Sequence, residues 1–163
     1  MGEYGVNDYY KEKLREGLEY QDYVFEQLRH MDGMPIFLGA YASEKYQYMK
    51  GESLSGIEIK YDSQIGKYHN VFIEVAEKSD PNLSEYTPSG VMREDNSWLY
   101  LVGDYEQAFI FPKKLLRAFC IPENKDIKYK ELPTALGYVF PLEFIERKSL
   151  CAKHILFSRR NNS

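Results

Sequence analysis

Hydrophobic and polar positions divide the chain into one helix-period stretch, several period-2 stretches and two long polar connections. In 11–30, Leu14, Leu18, Gln21, Phe25 and Leu28 share a stripe at helical spacing, which predicts a helix. Asp32-Gly33 ends it and Pro35 prevents its continuation. Gln21 is the polar member of that apolar face. Residues 35–41 (PIFLGAY) read as a strand and 42–55 as a polar connection. In 56–62, Ile57, Ile59 and Tyr61 alternate with Glu58, Lys60 and Asp62; in 70–78, Val71, Ile73 and Val75 alternate with Phe72, Glu74 and Ala76. Gly66 between them predicts a hairpin turn. The stretch 79–97, with Pro81, Pro88 and Gly90, reads as a long loop. Residues 97–103 and 107–111 form a predicted buried hairpin turning near Gly103-Asp104, and Pro112 opens a helix over 112–119. The segment 121–134 reads as a second loop, 137–148 as mixed, and 151–157 as a last strand. Residues 1–10 read as a loosely held arm and 158–163 as a disordered tail. This order predicts one α/β (α+β) domain on a central mixed sheet flanked by helices.

Composition narrows the class. The 163 residues are 44% hydrophobic, 28% charged and 15% aromatic, which excludes disorder for most of the chain. No run approaches the ~18 apolar residues of a membrane span, and the opening Met1-Gly2-Glu3-Tyr4 lacks the regions of a secretory signal. Cys120 and Cys151 lack metal or disulfide spacing and read as free thiols of a cytoplasmic protein. His30, His69 and His154 are scattered singly and read as surface or structural residues. Net charge is −4: residues 1–90 hold 9 basic and 16 acidic groups, residues 91–163 hold 12 and 9. Acidic chemistry therefore belongs to the first part, and basic contacts to a polyanion belong to the second.

The predicted hairpin carries the candidate chemistry. Pairing Asp62 near Asn70 brings Glu58 opposite Glu74 on the polar face, beside Lys60. Like charges so placed repel, and a cation between them relieves the repulsion. Oxygen ligands on rigid strands suit Mg²⁺ or Mn²⁺, which takes one or two carboxylates and phosphate oxygens. Lys60 then stabilises charge on an attacked phosphate. The competing reading is a solvated sheet face of alternating Glu and Lys. Against it, the opposite face is strongly apolar, and Gln21 on the helix's core side needs a polar partner.

The segments GLEYQDYVFEQL (17–28), GESLSGIEIKYD (51–62) and NVFIEVAEK (70–78) resemble the PD-(D/E)xK nuclease superfamily, with its restriction-endonuclease-like fold, over about residues 11–119. The resemblance implies a metal-dependent nuclease acting on nucleic acid, DNA in the first instance. Ala76 stands where that pattern expects lysine, and the lysine sits at position 60, as in superfamily members whose lysine has migrated to a neighbouring strand. In one register Glu58 and Glu74 are the metal ligands; in a second, Glu52 is the first acid and Glu58-Ile59-Lys60 the Glu-x-Lys. Gln21 or Glu19 supplies the helix residue, and Asp62 and Lys78 are substitutes. Lys113, Lys114 and Arg117 are candidate phosphate anchors, with helix-surface charge as the plainer reading. A double-strand cutter of this size implies a homodimer. Two other readings remain: a nuclease fold kept as a binding module, and an interaction domain using its 15 tyrosines, among them Tyr4, Tyr9 and Tyr10.

Overall fold

The computed structural model describes residues 8–29 and 56–157. The predicted strand 35–41, the connection 42–55 with Glu52, His30, residues 1–7 of the predicted arm and the tail 158–163 lie outside the described residues.

Helix α1 (Asp8–Arg29) begins earlier than predicted, with Asp8 in its first turn, where the helix dipole favours an acid. Its buried side is Tyr20, Gln21, Val24 and Leu28, whereas Leu14 is exposed. The apolar stripe is thus rotated from the predicted one.

After α1 come β1 (Ile57–Tyr61), the short helix α2 (Ile65–Tyr68), β2 (Asn70–Glu77), β3 (Thr87–Pro88) and a 3-10 turn (Gly90–Met92). They are followed by β4 (Leu99–Gly103), β5 (Gln107–Pro112), α3 (Lys113–Phe119), β6 (Lys128–Glu131), β7 (Ala135–Pro141), α4 (Leu142–Arg147) and β8 (Lys153–Leu156). The class is α+β, with two four-stranded sheets among the described residues in place of the single central sheet expected. The first has the order β1-β4-β5-β8, with β1 parallel to β4 and the other pairs antiparallel. The second, β3-β2-β7-β6, is antiparallel throughout. The predicted β4–β5 hairpin forms, and the segment 121–134 contains β6.

The predicted β1–β2 hairpin does not form. The intervening residues make a helical turn, and His69 ends it in the left-handed conformation (φ 52°), its N–H donating to the Ile65 carbonyl. Asp62 fixes the corner: Oδ1 accepts from the Gln64 amide (2.9 Å) and Oδ2 from the Phe72 amide (2.9 Å). β2 therefore leaves the first sheet and starts the second.

Strand alternation sorts the first sheet into two faces. Ile57, Ile59, Leu101 and Ile110 pack under Tyr20, Val24 and Leu28 of α1. Tyr100, Val102, Phe109 and Phe111 pack against Val71, Ile73, Tyr138 and Phe140 of the second sheet. The order of layers is helix, sheet, sheet, and Glu58 and Lys60 belong to the face between the sheets. Cys120 and Cys151 are free, and burial pushes the Cys120 thiol up to about 12, which makes it inert. His154 is exposed and stacks on Phe109 with ring centroids 4.2 Å apart, at the surface and in a packing contact.

Candidate active site at the junction of the two sheets

Glu58, alternating with the buried Ile57 and Ile59, points to the opposite side of β1 and is fully buried. From the next strand in the chain, but across the gap between sheets, Glu74 of β2 approaches Lys60. Lys60 Nζ lies 3.5 Å from Glu58 Oε1 and donates to Glu74 Oε1 at 3.1 Å. The three residues expected to share a site are therefore brought together, although by the stacking of two sheets and not along one β-ribbon.

Irregularities in the second sheet place Glu74. The β2–β7 register shifts between Glu74 and Ala76, a bulge with Val75 as its extra residue. The freed Val75 carbonyl accepts the Ser89 amide (3.1 Å), and Ser89 Oγ donates to Glu74 Oε1 (2.7 Å). Gly90, at φ +51°, lies against the Glu74 backbone, where a Cβ would stand 2.2 Å from the carbonyl oxygen. The bulge also re-phases the strand, so that Phe72, Glu74 and Glu77 all face one cleft.

Behind Glu58 lies a group of charges from which sequence reasoning named only Lys113, in another role, and missed Arg93 and Asp95. Arg93 Nη2 donates to Glu58 Oε1 (3.3 Å), and Lys113 Nζ lies 3.3 Å from Glu58 Oε2. Lys113 also donates to Asp95 Oδ1 (3.1 Å) and to the Arg93 carbonyl (3.0 Å), and Arg93 Nε lies 3.2 Å from Asp95 Oδ2. Burial opposes ionisation of Asp95, but the Ser97 amide, Lys113 and Arg93 outweigh it and hold its carboxyl below the usual range. Lys113 is 2% exposed, so it is no surface phosphate anchor. Arg117 is committed as well, donating to the Val91 carbonyl (2.8 Å) and to Glu94 (2.9 Å). Lys114 stays on the exposed side of α3. Arg93 and Asp95 come from the long loop 79–97, whose length was the one signal that pointed to them.

The cleft itself encloses about 680 Å³ between the N-terminal half of α1, the end of β1 and the open face of the second sheet. Lys60, Glu74, Glu77 and Gln21 line it, so the amide expected from the helix does reach the site. Glu19 is exposed and does not line it. Asp62 is committed to the β1–α2 corner, and Lys78 donates to the Leu83 carbonyl (2.8 Å). Burial raises the Glu77 carboxyl above its usual range, with Lys60 partly offsetting the effect. Glu52 lies outside the described residues. Among the described residues no three acidic, histidine or cysteine side chains gather in a metal-binding group. Of the two expected ligands Glu74 lines the cleft, whereas Glu58 lies behind it, fully buried and paired with Lys60, Arg93 and Lys113. An ion held by both would therefore take the place of the Lys60 ammonium between them, with phosphate and water completing its shell.

No family model, curated protein or solved structure matches the chain.

Proposed function

We propose that the cleft hydrolyses phosphodiester bonds of nucleic acid with the help of a divalent cation, Mg²⁺ or Mn²⁺, in the manner of the PD-(D/E)xK superfamily and on a restriction-endonuclease-like core. One observation carries the reading: Lys60 stands between carboxylates from two different sheets, at the wall of a cleft that Gln21 also lines. The Lys60 ammonium occupies the position of a positive charge shared by Glu58 and Glu74, which is what two facing carboxylates require. Glu74 and Glu58 would hold the ion, and a bound divalent ion supplies an acidified water and offsets phosphate charge. Lys60, displaced toward the cleft, donates to the non-bridging oxygens of the attacked phosphate as their charge grows. Gln21 orients the phosphate or the water by hydrogen bonding. Ser89 and the bulge at Val75 hold the Glu74 carboxylate in its direction, so it does not reorganise during the reaction.

The test is cleavage of end-labelled single-stranded and duplex DNA and RNA in Mg²⁺ or Mn²⁺. Lys60→Met and Glu74→Gln are each expected to lose about a hundredfold or more of the rate, with unchanged circular dichroism. Undiminished metal-stimulated cleavage by both variants refutes the mechanism.

A second reading has its own support. Arg93 and Lys113 already neutralise Glu58 inside the protein, as in a nuclease fold kept as a binding module. Calorimetric titration with Mn²⁺ separates the two: binding that Glu74→Gln abolishes favours the enzyme, and no binding favours the module.

A further inference from the structure

The cleft is polarised. On one side stand Lys60 and Glu74; two strands away across the second sheet, β6 presents Lys128 and Lys130, Lys130 level with Gly137 and Gly137 with Glu74. The two lysines alternate with Tyr129 and so share the cleft side of the strand. Both are exposed, and neither side chain makes a hydrogen bond or close ion pair among the described residues, although the Lys130 charge is felt by Asp62. That sets them apart from Lys13, Lys60, Lys113 and Arg117, all of which have carboxylate partners.

The acids along the wall offset these two charges only weakly, Asp62 through a small interaction with Lys130. Asp62 accepts two backbone N–H bonds, Glu16 pairs with Lys13, and Glu74 with Lys60. Glu77 stands beside Lys60. The same cleft is lined by aromatic surfaces: Tyr68, 54% exposed and with the Lys67 ammonium 4.7 Å from its ring centroid, and the half-buried Phe72. Lysines beside exposed rings form the surface on which single strands bind, phosphates on the cations and bases stacked on the rings. The volume of about 680 Å³ falls within the range of small-molecule sites, about 300–1,000 Å³. It has room for nucleotide-sized pieces.

We propose that this cleft takes a single strand of nucleic acid in preference to a duplex, with phosphates on Lys128 and Lys130 and a base on Tyr68. The proposal rests on the phosphodiesterase reading of the same cleft for its consequence, but its test is a binding measurement. The full chain is titrated, in EDTA, against fluorescein-labelled single-stranded DNA and RNA of one sequence and the corresponding duplexes, with anisotropy as the readout. The single strands are expected to bind at least about tenfold more tightly than the duplexes. Lys128→Ala with Lys130→Ala should lower the slope of log affinity against log salt by about 1.4, two contacts at ~0.7 each. Tyr68→Ala should weaken binding roughly five- to hundredfold, and Tyr68→Phe should restore it. All three positions are exposed, and circular dichroism checks that the variants fold. Duplex binding as tight as single-strand binding, or an unchanged salt slope in the double variant, overturns the proposal. Single-strand binding without cleavage in Mg²⁺ removes the enzyme reading and leaves this one standing; cleavage with a duplex preference does the reverse.

Discussion

Replacing Lys113 by Met is the sharpest perturbation of the ion cluster. The methionine keeps the length of the stem and deletes the ammonium. That ammonium is within 3.3 Å of Glu58 Oε2, 3.1 Å of Asp95 Oδ1 and 3.0 Å of the Arg93 carbonyl. Three cations, Lys60, Arg93 and Lys113, face three carboxylates, Glu58, Glu74 and Asp95, and the substitution leaves that set one positive charge short. Glu58 has no exposed surface through which water can take over. Breaking a buried pair by removing one partner costs about 3–5 kcal/mol, most of it the penalty of the charge left behind. For a chain of this length that corresponds to a fall in Tm of about 6–20 °C. Urea and thermal unfolding followed by far-ultraviolet circular dichroism measure it. The diagnostic step is the double variant Lys113→Met with Glu58→Gln. Neutralising the stranded carboxylate should recover at least about 1 kcal/mol, a coupling that a double-mutant cycle isolates. A loss below about 1 kcal/mol for the single variant, the size of an exposed pair, would show that water reaches the cluster. Strict additivity in the cycle would show that the two groups do not interact.

Three further outcomes are expected. Glu77→Gln should stabilise the protein at pH 7, because burial raises the carboxyl's folded pKa: stability is full below its unfolded value of 4.5 and falls as pH rises through the folded one. The Tm difference from the parent should therefore vanish in scans near pH 4, and a difference independent of pH contradicts it. Gly90→Ala should lower stability by about 1–3 kcal/mol in urea titrations, since the residue sits at φ +51° against the Glu74 carbonyl, and an unchanged midpoint would mean that the turn yields freely. Tyr20→Phe should leave stability equal or higher, because the buried hydroxyl has no hydrogen-bond partner among the described residues, and a loss above about 1 kcal/mol would reveal one.

What the sequence made legible was local. Alternation in 57–61 assigned Ile57 and Ile59 to one face and Glu58 and Lys60 to the other, and the structure keeps that division. The β4–β5 hairpin was legible for the same reason: Gly103 and Asp104 turn the chain between two adjoining apolar runs. Partner choice was not legible. The stretch 62–69 looks like a hairpin connection by composition, yet Asp62 folds it into a corner that sends β2 to another sheet. The bulge at Val75 leaves no mark in a period-2 pattern, although it decides that Glu77 shares the cleft with Glu74. Glu58 shows the limit most clearly. Its cationic neighbours, Arg93 and Lys113, are 35 and 55 positions away, far beyond any helical or strand period. A carboxylate on one face of a strand is solvated if that face is open and buried if a second layer covers it. Here the layer is supplied by β2 and β7, whose Val71, Ile73, Tyr138 and Phe140 close over the sheet. Once covered, the charge has to be matched from within, and the loop that follows β3 and the first turn of α3 bring the matching cations. The solvated-face reading of Glu58 and Lys60 therefore fails on tertiary grounds alone, and the local pattern that suggested it was read correctly.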